Sequence, residues 1–147
     1  MVGKVGLITP ELLAAAGTEQ AIQSAYFAWL TPLSFKPGNE LLKLIHAVPS
    51  GGQREKIVGT MMKSAGVRRG VLDVCLPFPR GPHHMGYIEF KRPIYRGRKS
   101  SGMSDEQIEF GKAQLALGNF VRVVFGWEEG RDATLEYMGL GPFNSHP

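Results

Sequence analysis

The sequence predicts an α/β domain in which a central mixed β-sheet is flanked by helices. Three observations predict it. Apolar residues recur at helical spacing over 19–30 and 53–65, and a capping box opens a further helix over 105–117. β-prone runs at 71–76, 86–91 and 119–125 lie between and after them. The connection 77–85, with two prolines and a glycine, lets the first two runs pair antiparallel as a hairpin.

Taken in order, Pro10 to Ala16 has room for one or two helical turns and carries no assigned chemistry. Thr18 is placed to cap a helix from Glu19, with Ile22, Tyr26 and Trp29 on one face. Glu19 is in line with Gln23, Tyr26 and Leu30, so it begins the row that points inward. Its competing explanation is that of a first-turn acid favoured by the helix dipole. Pro32, Pro37 and Gly38 are expected to end this helix, and Leu41 to Val48 reads as a short strand or extended segment before the turn Pro49-Ser50-Gly51-Gly52. Gln53 to Ala65 reads as a second helix with Gly66 at its C-cap. The hairpin follows, then a helix from Asp105 to Leu117 announced by the capping box Ser104-Asp105-Glu106-Gln107 and closed by Gly118. Asn119 to Phe125 is a strand, Glu128 to Met138 a last short helix, and 139–147 an irregular tail.

At 147 residues one domain suffices, with 1–17 as an N-terminal extension, and such a chain buries roughly 70% of its unfolded surface. The hydrophobic fraction of 43% and charged fraction of 20% are those of a soluble globular protein, and no apolar run approaches the ~20 residues of a membrane span. Met1 to Ala16 makes a poor secretory signal, so a cytoplasmic location is expected. The single cysteine, Cys75, rules out an internal disulfide or a multi-cysteine zinc site, and its apolar strand favours a buried inert thiol. The net charge of +4 suits a polyanionic partner, and the basic residues concentrate at Arg68-Arg69 and between Lys91 and Lys99.

Two carboxylates stand where core residues would be expected. In Gly86–Lys91 side chains alternate, so Tyr87, Glu89 and Lys91 share one face. The hairpin brings Asp73 to the same end of the sheet. Converging acids repel unless a cation lies between them, and oxygen ligands suit Mg²⁺ or Mn²⁺. Such an ion would activate water and polarise a phosphate, and Lys91 would orient the water or balance charge. Taken from their strand alone, Glu89 and Lys91 also read as a surface ion pair, worth little, on an exposed edge strand. His83-His84 read as ordinary loop residues.

From about Thr18 to Met138, the order of motifs resembles the VRR-NUC nucleases, a branch of the PD-(D/E)XK superfamily. The residues that carry the resemblance are Glu19 to Gln23 before Trp29-Leu30, His46-Ala47-Val48-Pro49-Ser50-Gly51-Gly52, Gly66-Val67-Arg68-Arg69-Gly70-Val71-Leu72-Asp73, Gly86-Tyr87-Ile88-Glu89-Phe90-Lys91 and Ser104-Asp105-Glu106-Gln107. The family commonly has proline before the acid, where this chain has Leu72.

The resemblance implies a restriction-endonuclease-like core. It implies that Asp73 and Glu89 bind a divalent metal with the Phe90 carbonyl as a further ligand, that Lys91 is the catalytic lysine, and that Glu19 helps to hold the metal or its water. Gln107 matches a glutamine that steadies Lys91 or substrate, in competition with its capping role, since one side chain can do only one of the two well. Arg68, Arg69, Arg92, Arg96, Arg98 and Lys99 would meet DNA phosphates, or else form a solvated basic loop. His46 would touch substrate or serve as a structural histidine. The implied activity is a Mg²⁺- or Mn²⁺-dependent DNA endonuclease acting on branched or four-way-junction DNA in repair, as a homodimer in a bacterial or phage-infected cell. The rival readings are a non-catalytic nucleic-acid-binding module of the same fold and an interaction domain without DNA affinity.

Overall fold

The computed structural model describes residues 8–49 and 63–139. Helix α1 (Pro10–Ala14) leads into α2 (Glu19–Ser34), and a one-turn 3₁₀ segment, Glu40–Leu44, precedes β1 (His46–Ala47). Then come β2 (Val74–Leu76), β3 (Gly86–Lys91), α3 (Asp105–Ala116), β4 (Phe120–Phe125) and α4 (Trp127–Tyr137). The sheet has the order β1-β2-β3-β4, antiparallel for its first two pairings and parallel for β3 with β4. That parallel pairing needs a crossover, and α3 supplies it.

The pleat of β3 divides the molecule. Ile88 and Phe90 are fully buried on one face among Tyr26, Leu30, Val74, Leu76, Val124 and Ala133, which is where α2 and α4 pack. Tyr26 anchors this layer through ring contact with Phe90 and a 2.6 Å hydrogen bond with Thr134. Gly130 of α4 lies so close to the Phe90 ring that a Cβ there would fall 2.4 Å from Phe90 Cε1, so α4 can seat on the sheet only with glycine at this position. The other face carries Tyr87, Glu89 and Lys91. Helix α3 covers it, with Phe110 edge-on to Tyr87 and Gly111 against Val121.

Several expected elements differ from those observed. Helix α2 runs through Pro32 to Ser34. A proline in the last turn forfeits a single intrahelical bond, and here the Ser34 hydroxyl donates to the Thr31 carbonyl at 2.6 Å to close the end. The segment expected to be extended from Leu41 starts as the 3₁₀ turn because Leu42 and Ile45, three residues apart, both reach the core. Strand β2 is shorter than the expected run, so Asp73 lies just before it rather than within it. The expected helix 53–65 lies outside the described residues except for its last three, and Gly66 ends it with a left-handed φ of 95°. The N-terminal residues 1–7 and the tail from 140 are also outside them.

Candidate active site

Asp73 and Glu89 stand opposite each other where the β2–β3 ladder ends. The register Val74↔Ile88 makes them the next facing pair. Their side chains continue the ladder in place of backbone bonds. The Asp73 backbone N–H donates to Glu89 Oε1 at 3.2 Å, and the Phe90 N–H donates to Asp73 Oδ2 at 2.9 Å. A strand residue sends its N–H and C=O to the same edge, so the Phe90 carbonyl also faces the Asp73 side. From the β1 side, the Val48 N–H donates to the Asp73 carbonyl at 2.7 Å and fixes the backbone of the acid.

Glu89 is 1% exposed. Burial, and then the charge of Asp73, push its carboxyl up from 4.5 to about 8, against the opposing pull of Lys91. Burial raises Asp73 as well, opposed by the Phe90 N–H. Lys91 Nζ lies 3.6 Å from Glu89 Oε2 and 3.8 Å from Glu19 Oε1. Glu19 therefore meets the site through the lysine. Among the described residues no three His, Cys, Asp or Glu side chains are close enough to hold a metal ion.

Gln107 corrects the expectation that its side chain would serve either the helix or the site. Its Oε1 accepts from the Ser104 N–H at 3.0 Å, completing the capping box, while its Nε2 donates to Glu89 Oε2 at 2.9 Å. An amide has a separate donor and acceptor, which a carboxylate lacks. What seats α3 for this contact is Gly70, within the Gly66–Asp73 motif but carrying no side chain of its own. Its φ is 82°, and a Cβ would lie 2.5 Å from the Glu106 carbonyl carbon and oxygen. A glycine after two arginines signals a turn; the approach of a helix from more distant sequence is not visible locally.

The basic residues separate into two groups. Arg68, Arg69, Arg92, Arg98 and Lys99 are exposed. Arg96, exposed as well, is in addition held by an ion pair with Glu129 and lies over the Phe125 ring, 4.8 Å from its centroid, so it anchors the loop to β4 and α4. His83 is a loop residue bonded through Nδ1 to the Gly118 carbonyl at 2.8 Å and stacked on Tyr137. Cys75 is buried.

The donor set fits a hard divalent cation. Two carboxylates share a buried space in which one is driven toward its protonated form, and a cation would relieve that repulsion, with a backbone carbonyl oxygen facing the same edge. No family model and no curated protein matches the sequence. Among solved structures, the chain is similar to a VRR_NUC domain protein, over 84% of this chain and 90% of that one, with 23% identity and a TM-score of 0.65. This chain thus shares its mixed-sheet α/β fold with a VRR_NUC domain protein.

Proposed function

We propose that the protein is a Mg²⁺- or Mn²⁺-dependent endonuclease that hydrolyses phosphodiester bonds in DNA. The observation that carries this reading is the facing pair Asp73 and Glu89 with Lys91 3.6 Å from the glutamate. Asp73, Glu89 and the Phe90 carbonyl would hold the cation, which when bound supplies Lewis-acid polarisation of the phosphate and activation of water. Lys91, itself buried, brings a fixed positive charge to the place where charge builds on the phosphate oxygens. Glu19, bonded to that ammonium, positions it. Gln107 orients Glu89 through Oε2, leaving Oε1 to the Asp73 N–H. The exposed Arg68, Arg69, Arg92, Arg98 and Lys99 give the duplex backbone a sequence-independent approach.

Branched or four-way DNA is the preferred substrate in this reading, with a two-fold dimer presenting two sites to one junction. Cleavage of linear, flapped and four-way DNA in Mn²⁺ tests it, with Asp73→Ala and Lys91→Ala assayed in parallel. The reading expects four-way DNA to be cut fastest and both variants to lose at least a hundredfold in rate, as removal of one electrostatic stabiliser does elsewhere. Wild-type protein that binds these DNAs without cutting them supports the non-catalytic module instead.

A further inference from the structure

The turn that follows Lys91 holds an apolar side chain out among cations. Strand β3 ends at Lys91, and Pro93–Tyr95 makes one 3₁₀ turn, closed by the Tyr95 N–H donating to the Arg92 carbonyl at 3.0 Å and the Arg96 N–H to the Pro93 carbonyl at 3.1 Å. Ile94, at its centre, is 54% exposed. Arg92, Arg98 and Lys99 on either side of it are exposed too. A lone exposed isoleucine is ordinary on a protein surface, and what sets this one apart is how firmly it is held.

The residues around Ile94 are tied down. Pro93 has its φ fixed by its own ring. Tyr95 is half-buried, and Gly102 lies so close to its ring that a Cβ there would fall 2.9 Å from Tyr95 Cγ. Arg96 is bound to Glu129 and to the face of Phe125. The chain comes back to Tyr95 through Ser100, Ser101 and Gly102, all left-handed, with φ of 57°, 50° and 76°. Two serines in that region are strained backbone, which persists only where its surroundings impose it. An apolar group on so rigid a turn enters a partner with little ordering cost.

Three residues of chain span at most about 10 Å, so Ile94 lies within roughly three nucleotide rises of Lys91. A polyanion that brings phosphates to Lys91 and to the flanking cations therefore has its stacked bases within range of the isoleucine. Apolar side chains set among cations open base steps in DNA, and they do so at least cost where pairing is already interrupted.

We infer that Ile94 is a wedge that enters the base stack at a branch point, beside the phosphate being cut, and so gives the site its preference for branched over linear DNA. This rests on the reading of the site as a nuclease acting on branched DNA. As an exposed side chain, Ile94 can be replaced without opening the core.

Four-way DNA carrying 2-aminopurine beside the branch tests the wedge, because the fluorescence of that base rises when it is unstacked. Binding is followed with Ca²⁺ replacing Mg²⁺ to suppress hydrolysis, for wild type, Ile94→Ser and Ile94→Leu, together with cleavage of four-way and linear DNA in Mn²⁺ and a thermal unfolding midpoint. The wild type is expected to raise the fluorescence, and Ile94→Ser to lose that rise at saturating protein with an unchanged midpoint. In Ile94→Ser the ratio of kcat/KM on four-way to linear DNA should fall about tenfold, the worth of burying the exposed half of an isoleucine. Ile94→Leu, which keeps the apolar volume, retains both the rise and the preference. No rise with the wild type, a full rise with Ile94→Ser, or an equal loss on both DNAs overturns the wedge. If the wild type binds and unstacks the branch without cutting it, the nuclease reading fails while the fluorescence of Ile94→Ser still decides the role of Ile94. A wild type without DNA affinity overturns both.

Discussion

Gln107 and Glu89 join the helix and the sheet through a single 2.9 Å hydrogen bond from the amide nitrogen to the buried carboxylate. Because the same side chain caps α3 through its oxygen, the position of the helix and the orientation of the acid are one structural variable. A helix displaced from the sheet would release the glutamate.

Gln107→Glu separates these two duties. Glutamate retains the acceptor for the Ser104 N–H and suits a helix N-terminus, but it cannot donate to Glu89 and adds a like charge beside it. The variant is expected to keep its helical circular dichroism and lose at least tenfold in cleavage rate. Gln107→Ala also loses the cap and is expected to cost about 1 kcal/mol in denaturant unfolding. Wild-type activity in Gln107→Glu would show that the amide bond is not used.

Glu89 predicts a pH dependence of stability. Its folded-state value is raised from 4.5 to about 8, so the folded protein holds a proton there that the unfolded chain releases. The associated stability is complete below about pH 4.5, falls as pH rises toward 8, and then levels off, for a total of a few kcal/mol. Asp73, also raised, acts in the same direction. Denaturant unfolding of wild type from pH 5 to 9 should show this decline, and Glu89→Gln should remove most of it. Equal slopes in the two proteins would contradict the stated cause.

Gly70→Ala is expected to destabilise the fold by about 1–3 kcal/mol, since it combines a left-handed backbone with a Cβ inside contact distance of the Glu106 backbone. The loss should be accompanied by reduced activity in protein that is still folded, because α3 is pushed away from Glu89. Gly118→Ala, left-handed with open space around it, provides the comparison: strain without displacement.

Arg96 and Arg98 are expected to behave differently although they are two residues apart. Arg98→Ala should weaken DNA binding uniformly across sequences and reduce the salt slope by about one. Arg96→Ala removes the pair with Glu129 and the contact with Phe125, so it should increase protease sensitivity of the 92–103 loop, read by limited proteolysis.

The parts of the fold legible in the sequence are those written in local pattern. Alternation in Gly86–Lys91 placed Glu89 and Lys91 on one face and Ile88 and Phe90 on the other, and the capping box located the start of α3 at Asp105. What was not legible depends on partners distant in sequence. Asp73 sits outside β2 because its bonds to β3 run through side-chain carboxylates, its own and that of Glu89, in place of backbone-to-backbone pairs, which no strand propensity records. The double use of Gln107 and the tie from Arg96 to Glu129 depend on where a helix lands, and the continuation of α2 through Pro32 depends on a hydroxyl two residues later.

The central claim is that Asp73 and Glu89 share a divalent cation, and calorimetric titration of the wild type with Mn²⁺ at pH 7 in buffers of different ionisation enthalpy tests it most directly. Binding is expected to release roughly one proton, because the carboxyl of Glu89, raised to about 8, must give up its proton to become a ligand. Asp73→Asn and Glu89→Gln are expected to abolish the binding, and Lys91→Ala to retain it. Binding unchanged in Asp73→Asn and Glu89→Gln, or no binding by the wild type, would contradict it.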